Sequence, residues 1–201
     1  MSDGLLSEYS ARYNAVLEPI AKELTALIVD HLGNAPHIDR VSVRAKSPPR
    51  FVTKALKRDA SGALLYTEPL YQIQDQIGAR IIVYYIQDVE AIRDRLMPFF
   101  THIEARTVVP ESEWEFGYFG RHFVLAMPTE GIPPEIRMED APRFFELQIK
   151  TLFQHAWSEA NHDLGYKPEI GLTSDQKRLL AYASAQAWGA DRAFNELVTN
   201  R

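Results

Sequence analysis

From Glu146 to Lys150 the chain alternates polar and apolar residues without a break: Glu, Leu, Gln, Ile, Lys. In an extended chain successive side chains point to opposite faces, so this period of two specifies a strand. Glu146, Gln148 and Lys150 share one face; Leu147 and Ile149 share the other. A chain with such a segment must build a sheet and cover one side of it. The polar side carries a carboxylate, an amide and an ammonium in a row, which together can hold a metal, a hydroxyl and a phosphate. The same pattern is that of a half-buried strand with a solvated face, and only the rest of the chain decides between the two.

The other segments supply helices and further strands. Tyr9, Tyr13, Leu17, Ile20, Leu24 and Ile28 recur at helical spacing. They predict a long first helix, kinked near Pro19 and ending near Gly33-Asn34. Arg40 to Lys46 alternates as a strand, and Pro48-Pro49 stops it and opens a short helix through Phe51 to Arg58. Asp59 to Pro69 reads as loop. Gly78 to Ile86 reads as a buried strand and Asp88 to Phe100 as a helix. Ile103 to Val109 and Tyr118 to Met127 read as strands around an acidic loop, Pro110 to Glu115. A proline-rich connection spans Gly131 to Pro142. After the Glu146 strand, Leu152 to Leu164 is helical. A last helix opens at Thr173, with Gln176 placed for a capping box. The expected class is α+β (mixed α/β), a mixed sheet of about five strands flanked by helices. The expected division is an N-terminal helix at 1–35, a core at 36–168 and a C-terminal helix at 169–201, all in one structural domain.

Composition narrows the chemistry. The chain has no cysteine, which removes disulfides, thiolate catalysis and cysteine-ligated metal sites. No apolar run approaches the ~20 residues of a membrane span. The N-terminus lacks a charged-then-apolar signal pattern, so the expected location is cytoplasmic, without a membrane partner. A net charge of -5 over 201 residues argues against a generally basic nucleic-acid binder.

Cations gather on one short stretch. The 40–46 strand places Arg40, Ser42, Arg44 and Lys46 on one face, and Lys54, Lys57 and Arg58 follow. Such a set suits a polyphosphate, and an arginine can also stack on a base. No Gly-x-x-x-x-Gly-Lys-Ser/Thr loop is present, so any phosphates are held by side chains. Asp75 precedes the next strand, which carries Arg80. Asp75 and Glu146 are candidates for a magnesium pair, since that ion uses one or two carboxylates plus water and phosphate oxygens. Tyr118 can stack on a base between Gly117 and Gly120, with His122 beyond. His155, Glu159 and His162 fall at i, i+4 and i+7 on one helix face. This is not the His-Glu-x-x-His spacing of zinc proteases, and no metal is assigned there.

Taken in order, these segments resemble the RelA/SpoT nucleotidyltransferase domain, most closely its small single-domain alarmone (ppGpp) synthetases. The resemblance rests on Arg44-x-Lys46-Ser47-Pro48 with Lys54, then Asp75-x-x-Gly78-x-Arg80 and Gly117-Tyr118-x-x-x-His122. Glu146-x-Gln148-Ile149-x-Thr151 follows, and last Ala156-Trp157 with His162-x-x-x-Tyr166-Lys167. It implies a Mg2+-dependent transfer of the β,γ-pyrophosphate of ATP to the 3′-hydroxyl of GDP or GTP, releasing AMP. It also implies roles. Arg44 and Arg80 sandwich the adenine, while Lys46, Ser47 and Lys54 hold the ATP phosphates. Asp75 and Glu146 bind magnesium, and Glu146 handles the hydroxyl proton. Tyr118, His122, Gln148, Lys150, Tyr166 and Lys167 line the acceptor pocket.

The chain departs from the family pattern at Gly120, Arg121, Lys150 and Gly165. Gly120, Arg121 and Gly165 surround the acceptor pocket, so the alternatives concern the acceptor. They are a toxin that pyrophosphorylates the tRNA 3′ end or adenine nucleotides, paired with an antitoxin protein, or a non-catalytic nucleotide-binding module. Terminal helices of this kind also permit a homo-oligomer.

Overall fold

In the computed structural model, residues 2–108, 120–165 and 171–200 are described. The first helix runs as α1 (Ser2–Arg12) and α2 (Glu18–Leu32), joined by a π-helical turn at Tyr13–Leu17. The irregularity therefore lies one turn before Pro19. Proline has no N–H to offer the carbonyl four residues back. The chain widens ahead of it, and the Glu18 N–H donates to Tyr13 O, five residues earlier.

Five strands follow: β1 (Ile38–Ala45), β2 (Ile77–Val83), β3 (His102–Val108), β4 (Gly120–Ala126) and β5 (Phe144–Thr151). They form one mixed sheet in the order β1-β2-β5-β4-β3. Only β2 and β5 run parallel; the other neighbours are antiparallel. The remaining helices are α3 (Pro48–Ala55), α4 (Pro69–Gln72), α5 (Ile86–Leu96), α6 (Leu152–Gly165) and α7 (Ser174–Thr199).

Several boundaries differ from the sequence reading: β1 starts at Ile38 rather than Arg40, and α3 ends at Ala55 rather than Arg58. The 78–86 strand stops at Val83 because Asp88 Oδ2 accepts from Tyr85 N and Ile86 becomes the first residue of α5. That helix ends at Leu96 and passes into a 3-10 turn at Met97–Phe99, where Pro98 cannot continue it. Pro69, the last residue of the stretch read as loop, opens α4, a short helix that the sequence reading did not assign. The capping box expected at Thr173 and Gln176 is present. No described helix is long and apolar enough to cross a membrane.

Strand alternation assigns the two faces of the sheet. Ala79, Ile81 and Val83 of β2 join Leu147 and Ile149 of β5 in the buried core. Leu17, Ile20, Leu24 and Ile28 of the first helix belong to the same core, with Val89, Ile92 and Leu96 of α5. Fully burying one such side chain contributes about 1.5–3 kcal/mol, so this face fixes the register. A one-residue slip would turn it out to solvent.

Candidate active site

The opposite face carries the polar row. Ser42 pairs with Arg80, Arg80 with Gln148 and Gln148 with His122 across four strands. In the neighbouring row Arg44 lies opposite Gly78, and Gly78 opposite Glu146. Gly78 thus leaves a gap between an arginine and a carboxylate. A Cβ added there meets nothing within 4 Å, so the glycine forms an open floor rather than relieving a clash.

The turn before β2 delivers Asp75. Its neighbour Gln76 is 2% exposed and donates from Nε2 to the carbonyls of Leu70 (2.7 Å) and Ile73 (3.1 Å). Gln76 Oε1 accepts from Arg12 Nε at 3.2 Å, and its carbonyl accepts from Lys46 N at 2.8 Å. With the turn so tied, Asp75 meets Lys46 Nζ at 3.0 Å and Lys54 Nζ at 2.9 Å. Burial works against ionisation of Asp75, yet the two ammoniums outweigh it and hold the carboxyl below its usual range. Lys54 meets Oδ1 and Lys46 meets Oδ2, so each carboxylate oxygen faces one ammonium.

Glu146 stands across from Asp75. His122 Nδ1 lies 2.9 Å from its Oε1. Burial again opposes ionisation, but His122 and a hydrogen bond from Gln148 prevail over it and over the Asp75 charge. Glu146 is therefore held as a carboxylate, with Oε1 turned to His122. Gln148 Oε1 is buried without a hydrogen-bond partner.

Two clefts meet at this carboxylate pair. Arg44, Lys46, Ser47, Arg50, Arg80 and Gln148 line one of them. Lys54, Tyr66, Gln72, Gln74 and His122 line the other, and Asp75 and Glu146 belong to both. Ser47 caps α3 only by position: Pro48 and Pro49 follow it, and its side chain makes no capping bond. Its hydroxyl is thus not spent on the helix.

Lys150, expected beside the acceptor, is only 4% exposed, under α6, with Nζ 3.4 Å from Ser158 Oγ. Burial, reinforced by the charge of Arg80, brings its ammonium down to about 7. It lines the wider mouth of the cation-rich cleft with Trp157 and His162.

The structure thus gathers Arg44, Lys46, Ser47, Lys54, Asp75, Arg80, His122, Glu146, Gln148 and Lys150. Gln148 sits on the Arg44 and Arg80 side of the carboxylates, rather than in the His122 cleft. Tyr118, Tyr166 and Lys167 lie outside the described residues. Sequence reasoning missed Arg50, Tyr66, Gln72 and Gln74. Arg50 lies just ahead of the helix read from Phe51 to Arg58, and the other three lie in or beside a stretch read as loop.

A carboxylate pair between a polycationic cleft and a mostly neutral one defines a site for moving a phosphoryl-type group between two ligands. The comparisons agree. Residues 43–170 match the profile described as a region found in RelA / SpoT proteins. The chain is 30% identical over 159 residues to the GTP pyrophosphokinase YjbM of Bacillus subtilis (strain 168), spanning 75% of this chain and 72% of that protein. Its fold matches the crystal structure of small alarmone synthetase 1 from Bacillus subtilis, with a TM-score of 0.72 and 22% identity over 96% of both chains. Small alarmone synthetase 2 from the same organism matches with a TM-score of 0.73 and 18% identity, over 94% of this chain and 100% of that one. The synthetase 1 structure bound to its product pppGpp matches with a TM-score of 0.70, at 22% identity over 96% of both chains. The chain belongs to the RelA/SpoT family, and its fold is that of the small alarmone synthetases.

Proposed function

We propose that the protein is an ATP-dependent 3′-pyrophosphokinase that makes (p)ppGpp from GDP or GTP. The observation that carries this is a pair of clefts that, among the described residues lining them, have Asp75 and Glu146 in common. A donor phosphorus and an acceptor hydroxyl must meet at one point while the rest of each ligand lies apart, and this geometry provides that point. The relatives support the substrates: one is named a GTP pyrophosphokinase, and another is seen with pppGpp.

The reaction forms a bond from the acceptor 3′-oxygen to the β-phosphorus of ATP. The bond from that phosphorus to the bridging oxygen breaks, and its electron pair leaves with AMP. The hydroxyl proton passes to Glu146, whose ionised state is maintained by His122. Lys46, Arg50 and Lys54 neutralise the phosphates, while Arg44 and Arg80 seat the base.

The residues fit magnesium. Gln148 Oε1 is a buried acceptor without a hydrogen-bond partner, and Asp75 and Glu146 bring two carboxylates within electrostatic reach. Among the described residues no cluster of three or more such ligands forms a closed cage, and magnesium asks for one or two carboxylates. In this reading Asp75 and Glu146 hold it, and the ion supplies charge neutralisation on the phosphates. Lys46 and Lys54 now grip Asp75; arriving phosphates draw them off and release the carboxylate.

Glu146→Gln tests the assignment. Transfer falls by at least ~10²–10⁴-fold, as for loss of a general base, while binding of a non-hydrolysable ATP analogue stays within a few-fold. Retained turnover would remove Glu146 from the proton-handling role.

A further inference from the structure

The row His155, Glu159, His162 on α6 serves none of the roles above, yet two of its members converge on Arg80. Glu159 Oε1 accepts from Arg80 Nη1 at 2.6 Å, and His155 Nδ1 lies 3.3 Å from the same nitrogen. The Arg80 side chain is 18% exposed and that of Glu159 51%. Guanidinium N–H groups point in the plane of the group. Partners on one edge nitrogen therefore fix that plane without covering its faces, and Arg80 lines the cleft. An open, fixed guanidinium face is what stacking on a base requires.

Charge gives the contact a second purpose. Arg80 sits among like charges: those of Arg44 and Lys150 act on the same neighbourhood. Glu159 is the one carboxylate paired with Arg80 among the described residues. It offsets repulsion that would otherwise push the arginine out of the cleft. His155 is kept neutral by burial and by the Arg80 charge, so it meets Arg80 as an acceptor.

We propose that Glu159, backed by His155, is a positioning residue that sets the plane of Arg80 and thereby builds the seat for the donor's base. The clamp rests on the donor-site reading above and reaches the base from α6. Glu159 acts through Arg80 and touches no reacting atom.

Calorimetry with two probes tests it: AMP, which carries the base, and inorganic tripolyphosphate, which carries only charge. Glu159→Ala weakens AMP binding about tenfold, the worth of one cation–π contact. Glu159→Gln, which keeps an acceptor oxygen, loses less. Tripolyphosphate binds both variants as tightly as wild type or more tightly, because a negative charge has gone. In an Arg80→Ala background, Glu159→Ala changes AMP binding no further. The clamp is overturned if AMP affinity is unchanged in both variants, if both probes strengthen together, or if the loss persists without Arg80. If Glu159→Ala loses its circular dichroism, the isosteric Gln variant carries the test alone. Wild-type protein that binds neither probe overturns the donor reading and the clamp with it. Wild-type binding of both probes with unaffected variants overturns the clamp alone.

Discussion

Replacing Lys150 with methionine should stabilise the empty protein while disabling it. Lys150 is 4% exposed, and its ammonium is brought from an ordinary 10.5 to about 7 by burial and by Arg80. The unfolded chain therefore binds more protons than the folded one between about pH 7 and 10.5. Wild-type stability must rise with pH across that window, and the cost of burying the charge is fully present below it. At about 1.4 kcal/mol per pH unit, the interval from pH 7 to 9.5 is worth about 3 kcal/mol. Methionine has a similar unbranched shape and carries no proton, so the variant lacks this contribution. It loses the long bond to Ser158, worth about 1 kcal/mol at most. Urea unfolding of both proteins at pH 6, 7.5 and 9.5 should show the variant ahead by several kcal/mol at pH 6. That lead should shrink by about 3 kcal/mol at pH 9.5. Curves that run parallel from pH 6 to 9.5 would refute the reasoning. Transfer activity should fall at every pH, because the cation-rich cleft that Lys150 lines loses one of its charges.

Three further outcomes follow from the geometry. Gly78→Ala keeps or slightly raises stability, because no atom stands within 4 Å of the new methyl; it fills the cleft floor and raises the KM for ATP about tenfold, and an unchanged KM would contradict the floor. Arg50→Ala leaves the Tm in place and weakens ATP but not AMP by about tenfold, the scale of one charged hydrogen bond; equal weakening of both in titrations would move Arg50 to the base. Thr151→Val breaks the 2.6 Å bond to buried Asp191 and the cap on Gln154 N. It costs about 2–3 kcal/mol in urea unfolding, and a loss under about 0.5 kcal/mol would show that α6 and α7 do not depend on this joint.

Much of this was legible because two periods were clean. The alternation in β5 and β1 assigned Glu146, Gln148 and Arg44 to one face without any structure. The helical spacing from Leu17 to Ile28 gave the element that covers the other face. Boundaries failed where local chemistry competed with period. The Asp88 cap ended the β2 run early, and Pro19 displaced the irregularity by a turn. The second cleft was not legible, since Tyr66 and Gln74 are brought to Glu146 only by the folded path from Asp59 to Gln76. Nor was the grip of Lys46 and Lys54 on Asp75, which is a long-range contact. The row on α6 was seen as a face, but its object, Arg80, lies 75 residues from His155 in sequence.

Asp75 and Glu146 are proposed as the point where pyrophosphate passes from ATP to a guanine nucleotide. The most direct measurement incubates the protein with magnesium, ATP labelled at its β- and γ-phosphates, and either GTP or deacylated tRNA. The account predicts AMP release matched one-for-one by label on the 3′ position of GTP, and none with Glu146→Gln. Label on tRNA and not on GTP would contradict the acceptor, and no transfer to GTP, ATP or tRNA would leave a nucleotide-binding module in place of an enzyme.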